Sequence, residues 1–395
     1  MNPVILKKEV QQFINDNLAT DVHRILLSKS PFADVSSKQL VEQIESKLKA
    51  REKLPTWFET NNIVYPKKLN LSQSSSEKAA FYKASLLNGK SIVDLTGGFG
   101  VDCFAFSKQL KNVVHVEQNE SLSPIAAHNF RQLGASNVEC ITSEGIDFLK
   151  NATASFDWIY IDPSRRDREN KKVYYLADCE PDVTQQFNLL FSKAPNILLK
   201  TGPLLDISAG LLQMPNVREI HIVAISNDVK EVLWILEEGF TEEPLVKTLN
   251  FKNDTVQEFH FSLNAEKTAN ANYGKPKRYL YEPNASILKS GAFQYLGSYY
   301  NLEKLHPNSH LYTANELISF PGRIFEVVDT LEYSKKALKK LNLTKANIST
   351  RNFPDSVQAI KKKLGLKDGG NAYLICTTDV NQNLIILHCS QRFDK

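Results

Sequence analysis

Residues 91–102, SIVDLTGGFGVD, constrain this chain more than any other stretch. Ile92, Val93 and Leu95 form a short apolar run with Asp94 inside it, the pattern of a buried parallel strand. Thr96, Gly97, Gly98, Phe99 and Gly100 then turn the chain sharply, and helical character begins at Val101. A strand, a glycine-rich turn and a helix make a unit that can cradle a nucleotide. Glycine lets the backbone approach a ligand closely, and the turn leaves amide N–H groups free to point at it.

The neighbouring segments extend the pattern. Residues 113–118, VVHVEQ, predict a second strand ending in Glu117, which lies 17 residues beyond Gly100. In nucleotide-binding βαβ units an acidic side chain meets the ribose hydroxyls at an offset of about 20 residues. A third strand, Val138 to Thr142, is followed by SEGIDFL, which puts Asp147 near the next strand end. A fourth, FDWIYID, ends in Asp162, Pro163, Ser164 and Arg165. Asp94, Glu117, Asp147 and Asp162 are therefore expected at or near the carboxyl ends of successive strands, the edge where open α/β sheets bind ligands.

With these four ordered motifs, residues 72–265 resemble the class I S-adenosylmethionine-dependent methyltransferases. The resemblance implies that DLTGGFG, with Asp94, Thr96, Gly97, Gly98 and Gly100, cradles the methionine end of S-adenosylmethionine. It implies that Glu117 holds the ribose diol, that Asp147 contacts the adenine, and that DPSR at 162–165 forms the catalytic edge. Ser164 stands where the family usually has a second proline, and no aromatic residue follows. That departure puts the adenine amino-group chemistry of the aromatic-bearing motif in doubt. More narrowly, SSE…YKA, DPSRR and YLYEPNASILKSGA are similar to a bacterial group of methyltransferases with a C-terminal THUMP-like domain.

A dinucleotide dehydrogenase competes for the same loop. Its G-x-G-x-x-G pattern would start at Gly98 and Gly100 and end on Cys103, which is small enough to fit. The DPSR edge and the lack of a second nucleotide-type loop favour the methyltransferase. Cys103, Cys140, Cys179, Cys376 and Cys389 form no Cys-x-x-Cys pair, and the eight histidines are scattered, so no metal site is expected. The cysteines read as reduced residues of a cytoplasmic protein. The N-terminus turns charged too soon for a signal peptide, and no run of 18 apolar residues exists.

The expected fold is α/β: a Rossmann-like core with a helical N-terminal domain and a small α/β THUMP-like C-terminal domain. Residues 1–70 read as the helical domain, with Leu40, Ile44 and Leu48 at helical spacing and Ser36 or Ser37 as cap. Residues 71–265 read as the Rossmann-like domain, with further strands at 196–202, 217–226 and 257–264 and a helix at WILEEGF. The polar stretch 265–277 marks a boundary, 278–320 forms a tyrosine-rich linking domain, and 321–395 the THUMP-like domain. That last module should contain the helices SKKALKKL and SVQAIKKKLGL between strands.

Net charge is only +4, but lysines gather locally. Lys335, Lys336, Lys339, Lys340 and Lys345 precede Lys361, Lys362, Lys363 and Lys367, with few acids against them. Such faces suit a phosphate backbone; as runs of like charge they equally suit a solvated surface. Beside a THUMP-like resemblance, RNA is the expected partner. At the catalytic edge, Asp162 is the candidate to orient or deprotonate a base nitrogen, with Pro163 fixing the turn. Arg165 and Arg166 are candidates for substrate phosphate, or for pairing with Asp167 or Glu180. Lys200 and Thr201 reach the same edge. Carbon methylation of a pyrimidine needs a cysteine nucleophile, and neither DPSR nor LLKTGP supplies one. The expectation is thus a methyltransferase acting on structured RNA, tRNA or rRNA, at a base nitrogen. The rivals are a protein or small-molecule methyltransferase, and an RNA-binding protein that has lost catalysis.

Overall fold

The computed structural model describes residues 2–165, 175–334 and 343–392. They form two units: residues 1–217 with 234–240, and residues 218–233 with 241–395.

The first unit opens with six helices: α1 (Lys8–Asp16), α2 (Val22–Leu27), α3 (Ser37–Lys53), α4 (Pro55–Glu59), α5 (Lys68–Gln73) and α6 (Glu77–Ser85). Ser36 caps α3 reciprocally with Gln39, which satisfies donors that a helix start leaves unpaired. Leu40 and Ile44 enter the helical core with Val10, Ile14 and Val35. Leu48, expected on the same face, is 42% exposed: steps of four drift around a helix of about 3.6 residues per turn, and the buried face continues through Lys47 and Ala50 instead.

The sheet of this unit follows. It contains β1 (Ser91–Asp94), β2 (Asn112–Val116), β3 (Val138–Ile141) and β4 (Trp158–Ile161). A short hairpin of β5 (Ser164–Arg165) and β6 (Cys179–Glu180) leads on to β7 (Asn196–Thr201). The long strands run parallel in the order β7-β4-β1-β2-β3. Helices α7 (Val101–Gln109), α8 (Ser123–Gln132), α9 (Gly145–Asn151) and α10 (Phe187–Lys193) make the crossovers that parallel pairing demands. Ile92, Val93, Ile159, Ile161, Ile197 and Leu198 are all at most 1% exposed, which is why these strands read as continuous apolar runs. The chain leaves β1 toward β2 and β3, then returns to β4 on the other side of β1. That reversal opens a crevice above the carboxyl ends of β1 and β4.

The second unit holds most of β8 (Val217–Ile225) and the first part of β9 (Asp228–Glu237), with β10 (Leu245–Lys252) and β11 (Thr255–Ser262). Strand β10 pairs parallel to β8 and antiparallel to β11. WILEEGF, expected to be helical, lies mostly in β9: Glu231 to Leu236 are buried without interruption, and an unbroken run of β-branched, aromatic and leucine residues suits a strand covered on both faces. Strand β10 was not expected at all.

After α12 (Leu263–Thr268) come β12 (Asn272–Tyr273), β13 (Tyr279–Pro283), α13 (Ala285–Ser290), α14 (Phe293–Tyr299), β14 (Glu303–Lys304), β15 (Tyr312–Ala314) and β16 (Gly322–Glu332). The chain ends with β17 (Asn347–Arg351), α15 (Val357–Leu364), β18 (Tyr373–Thr378) and β19 (Leu384–Arg392). These strands form an eight-stranded sheet ordered β12-β14-β15-β13-β16-β19-β18-β17. The expected helix SKKALKKL lies outside the described residues.

Candidate active site

The crevice of the first unit is a cleft of about 600 Å³. Asp94 closes β1 and is 1% exposed. Its Oδ1 accepts from the Thr96 N–H at 2.8 Å and the Thr96 hydroxyl at 3.1 Å, and its Oδ2 accepts from the Cys103 thiol at 3.3 Å. Burial pushes this carboxyl up to about 7, against the pull of the Thr96 donors. The Thr96 hydroxyl in turn accepts the Asp162 N–H at 2.8 Å, so a hydrogen-bond chain ties the end of β1 to the end of β4.

The loop between them needs its glycines. A Cβ on Gly97 would lie 2.4 Å from His115 Nε2, and Gly100 holds φ +87° where a Cβ would meet Phe130 at 2.4 Å. His115 is fully buried beneath the loop, with Nε2 at 3.2 Å from the Gly98 carbonyl. Burial holds its pKa down, so it acts as a neutral prop.

Glu117 stands at the exit of β2 and faces the loop. Its Oε2 accepts the Gly98 N–H at 2.7 Å and its Oε1 the Asn119 N–H at 2.7 Å. Each carboxylate oxygen has a second lone pair, so two further donors can be accepted. A vicinal diol supplies two such donors. Asp147, by contrast, sits in the first turn of α9, 65% exposed and 3.0 Å from Lys150. The cleft wall there is formed by Glu144 and Gly145 instead. Glu144 caps α9, accepting the Asp147 N–H at 2.8 Å.

At the other end of the cleft, Asp162 forms an ion pair with Lys200 of β7, which is 12% exposed. Pro163 is buried behind it. Ser164 and Arg165 pair with Glu180 and Cys179 across the β5–β6 hairpin, and Ser164, Glu180 and Pro181 line the cleft. The Arg165 side chain, Arg166 and Asp167 lie outside the described residues.

One part of the site was missed from sequence. Lys83 of α6 is fully buried, with its ammonium 3.2 Å from Asp102 Oδ1 and 3.0 Å from the Ser75 hydroxyl. Ser75 and Tyr160 donate to Asp102 Oδ2 at 2.9 and 3.0 Å. Burial pushes the Asp102 carboxyl up, but the charges of Lys83 and Lys200 and these two hydroxyls outweigh it and leave it below the usual range. The available signal was a lysine on the alanine face of α6, beside Ala79, Ala80 and Ala84. A buried lysine demands an acid partner. Ser75 and Asp102 both line the cleft.

In the second unit, Lys335, Lys336, Lys339 and Lys340 lie outside the described residues. On α15 the acids are nearer than expected: Lys361 lies 2.5 Å from Asp368, and Lys363 lies 2.8 Å from Asp355, while Lys362 stays exposed. Among the described residues, no cluster of His, Cys, Asp or Glu could hold a metal, and no helix is long and apolar enough to cross a membrane.

Three family models match the chain. Conserved hypothetical protein 95 covers residues 74–178, a ferredoxin-like domain covers 279–321, and a THUMP-like domain covers 322–391. An RNA methyltransferase of Mycoplasma mobile, itself uncharacterised, is 24% identical over 178 residues, 42% of this chain. The match spans about half of that relative, 49% of its length. The crystal structure of a candidate methyltransferase from Porphyromonas gingivalis W83 is 31% identical. It covers 99% of this chain and 98% of its own, with a TM-score of 0.90. A relative this similar over its whole length carries both the cleft-bearing unit and the THUMP-like module, so the chain belongs to the class I S-adenosylmethionine-dependent methyltransferases with a C-terminal THUMP-like domain.

Proposed function

We propose that this chain binds S-adenosylmethionine in the cleft and methylates a base nitrogen of structured RNA, tRNA or rRNA. The observation that carries the reading is the opposition of Glu117 and Asp162 across one glycine-walled cleft. The residues present fit the cofactor. Glu117 keeps a lone pair on each oxygen for a ribose diol, and the turn from Thr96 to Gly100 brings backbone close to whatever enters. When bound, S-adenosylmethionine supplies an electrophilic methyl group.

The chain's own residues then have to align a nucleophile and exclude water, since orientation can supply most of the barrier reduction. Asp162 is placed to accept an N–H of the target, with Lys200 fixing its other side. Pro163 stiffens the turn, and Arg165 would reach substrate phosphate. Asp147 would serve the adenine only through a shift of its exposed side chain; Glu144 and Gly145 are the nearer candidates. Lys335, Lys336, Lys339, Lys340, Lys361 and Lys362 would add contacts to the RNA backbone, less strongly at Lys361 because Asp368 already pairs with it.

Support for RNA comes from the THUMP-like module and from the relative named as an RNA methyltransferase. The test is a comparison of modified nucleosides in tRNA and rRNA from a deletion strain and its parent, by mass spectrometry. One methylated nucleoside should vanish and return when purified protein and labelled cofactor are added to the mutant's RNA. An unchanged nucleoside profile, with label transferred to protein or small molecules instead, would move the activity to another substrate class.

A further inference from the structure

The motif YLYEPNASILKSGA takes no part in the cleft, yet it holds a charged side chain in the interior of the second unit. Glu282 of β13 is 2% exposed. Two arginines meet it: Arg323 of β16 through Nε at 2.7 Å and also through Nη2, and Arg351 of β17 through Nη2 at 2.6 Å. We propose that Arg323 and Arg351, held by Glu282, form a clamp for a phosphate of the RNA backbone. The inference rests on the RNA reading above and assigns that partner a contact site away from the cleft.

The backbone sets the arrangement. Glu282 and Arg323 are direct cross-strand partners, and a Cβ on Gly322 would lie 2.0 Å from the Glu282 carbonyl oxygen. Glycine at 322 therefore permits the close approach that puts Arg323 against the carboxylate. Arg351 arrives from the end of β17, where its Nη1 donates to the Thr350 carbonyl at 3.0 Å. Its Nη2 is near Glu282 Oε1 but not aligned for a hydrogen bond, so this contact is one of charge.

A tie between strands needs one arginine. The second brings a like charge to the same carboxylate and leaves the group with a net charge of about +1. Nor is the group shut away: the arginine side chains are 40% and 36% exposed. Among the described residues, Arg323 Nη1 and Arg351 Nε have no partner. Guanidinium groups match phosphate bidentately, and a pair already fixed by a buried anion loses little freedom on binding. Burial, then Lys304 and Arg351, push His310 down to about 4, so it is neutral at physiological pH, and Lys304 is a buried cation.

The test uses the full chain and labelled tRNA and rRNA, with affinity measured against salt. Each lost phosphate contact lowers the slope of log affinity against log salt by about 0.7–0.9. Arg323→Gln with Arg351→Gln removes the contact to one clamped phosphate, so it should lower the slope by about 0.7–0.9 and weaken binding about 10-fold. Affinity for S-adenosylmethionine, measured on the same sample, should stay at the parent value. Arg323→Lys with Arg351→Lys should keep the slope but lose affinity, because the charge remains and the fork does not. If the Gln pair fails to fold, the Lys pair decides: parental affinity overturns the clamp. A folded Gln pair with the parent's slope also overturns it and makes the triad a strand tie. A parent chain that binds no RNA removes both the clamp and the RNA reading, whereas a binding parent with an unaffected variant removes the clamp alone.

Discussion

Replacing Glu117 by alanine should weaken S-adenosylmethionine binding without unfolding the cleft. The carboxylate accepts the Gly98 and Asn119 N–H groups at 2.7 Å each, and under the proposed reading its remaining lone pairs accept the two ribose hydroxyls. Hydrogen bonds to a charged group contribute about 1.5–3 kcal/mol each. Two at the lower end amount to about 3 kcal/mol, or about 100-fold in affinity. Partial replacement by water reduces the loss, so at least about 10-fold should remain. Glu117→Gln should fall between parent and alanine, since the amide retains one acceptor oxygen but turns a donor toward the Gly98 or the Asn119 N–H. Calorimetric titration measures the constants, and thermal melting of the same samples checks folding. Affinity within a factor of two of the parent for the alanine variant, with a normal melt, would refute the assignment of Glu117 to the ribose.

Three further outcomes follow from the same site. Lys83→Met should cost about 3–5 kcal/mol in denaturant unfolding, because it strands a buried carboxylate. Lys83→Met with Asp102→Asn should recover much of that loss, and purely additive effects would show the pair is not coupled. Asp102, whose carboxyl is held below the usual range in the folded state, stabilises the fold above the unfolded pKa near 4. This contribution is lost as pH falls through the lower folded value, so Asp102→Asn should flatten the acid limb of the stability curve below about pH 4, and an unchanged limb would contradict the ion pair. Asp162→Ala should abolish methyl transfer to an identified substrate while leaving cofactor affinity nearly intact; near-normal turnover would move the catalytic role toward Lys200.

The cleft was legible where local chemistry fixes it. DLTGGFG had to be a tight strand–helix turn because Gly97 and Gly100 occupy positions that a side chain would fill, and Glu117 followed at the spacing that one crossover helix sets. Asp147 was harder to place. Sequence named Asp147 as the acid after β3; Glu144 serves as helix cap and lines the cleft, while Asp147 turns out to solvent. The Lys83–Asp102 pair stayed hidden because its partners are 19 residues apart and meet only through the packing of α6 on α7. WILEEGF misled for a related reason: a short apolar run suits a buried strand or a buried helix, and only its neighbours decide.

The buried pair also explains how the N-terminal helices bear on the cleft. Phe99, inside the glycine loop, has its ring 6.3 Å from that of Trp57 and 6.4 Å from that of Tyr65. Asn129 of α8 exchanges two hydrogen bonds with the Val64 backbone, at 3.0 and 2.9 Å, anchoring the segment that carries Tyr65. Ser75 and Lys83 then fasten the following turn and helix to Asp102, one residue after Val101 begins α7. Asn70, Gln73, Ser74 and Ser75 are left as one wall of the cleft, facing the loop they help to hold. Each tie is made by buried or half-buried groups, so none can be released without leaving an apolar ring, an amide or a charge unmatched. A strand–loop–helix unit alone would offer its glycine loop to water on that side. The helices that precede it close the side, and a charged ligand in the cleft would meet fixed dipoles there rather than solvent.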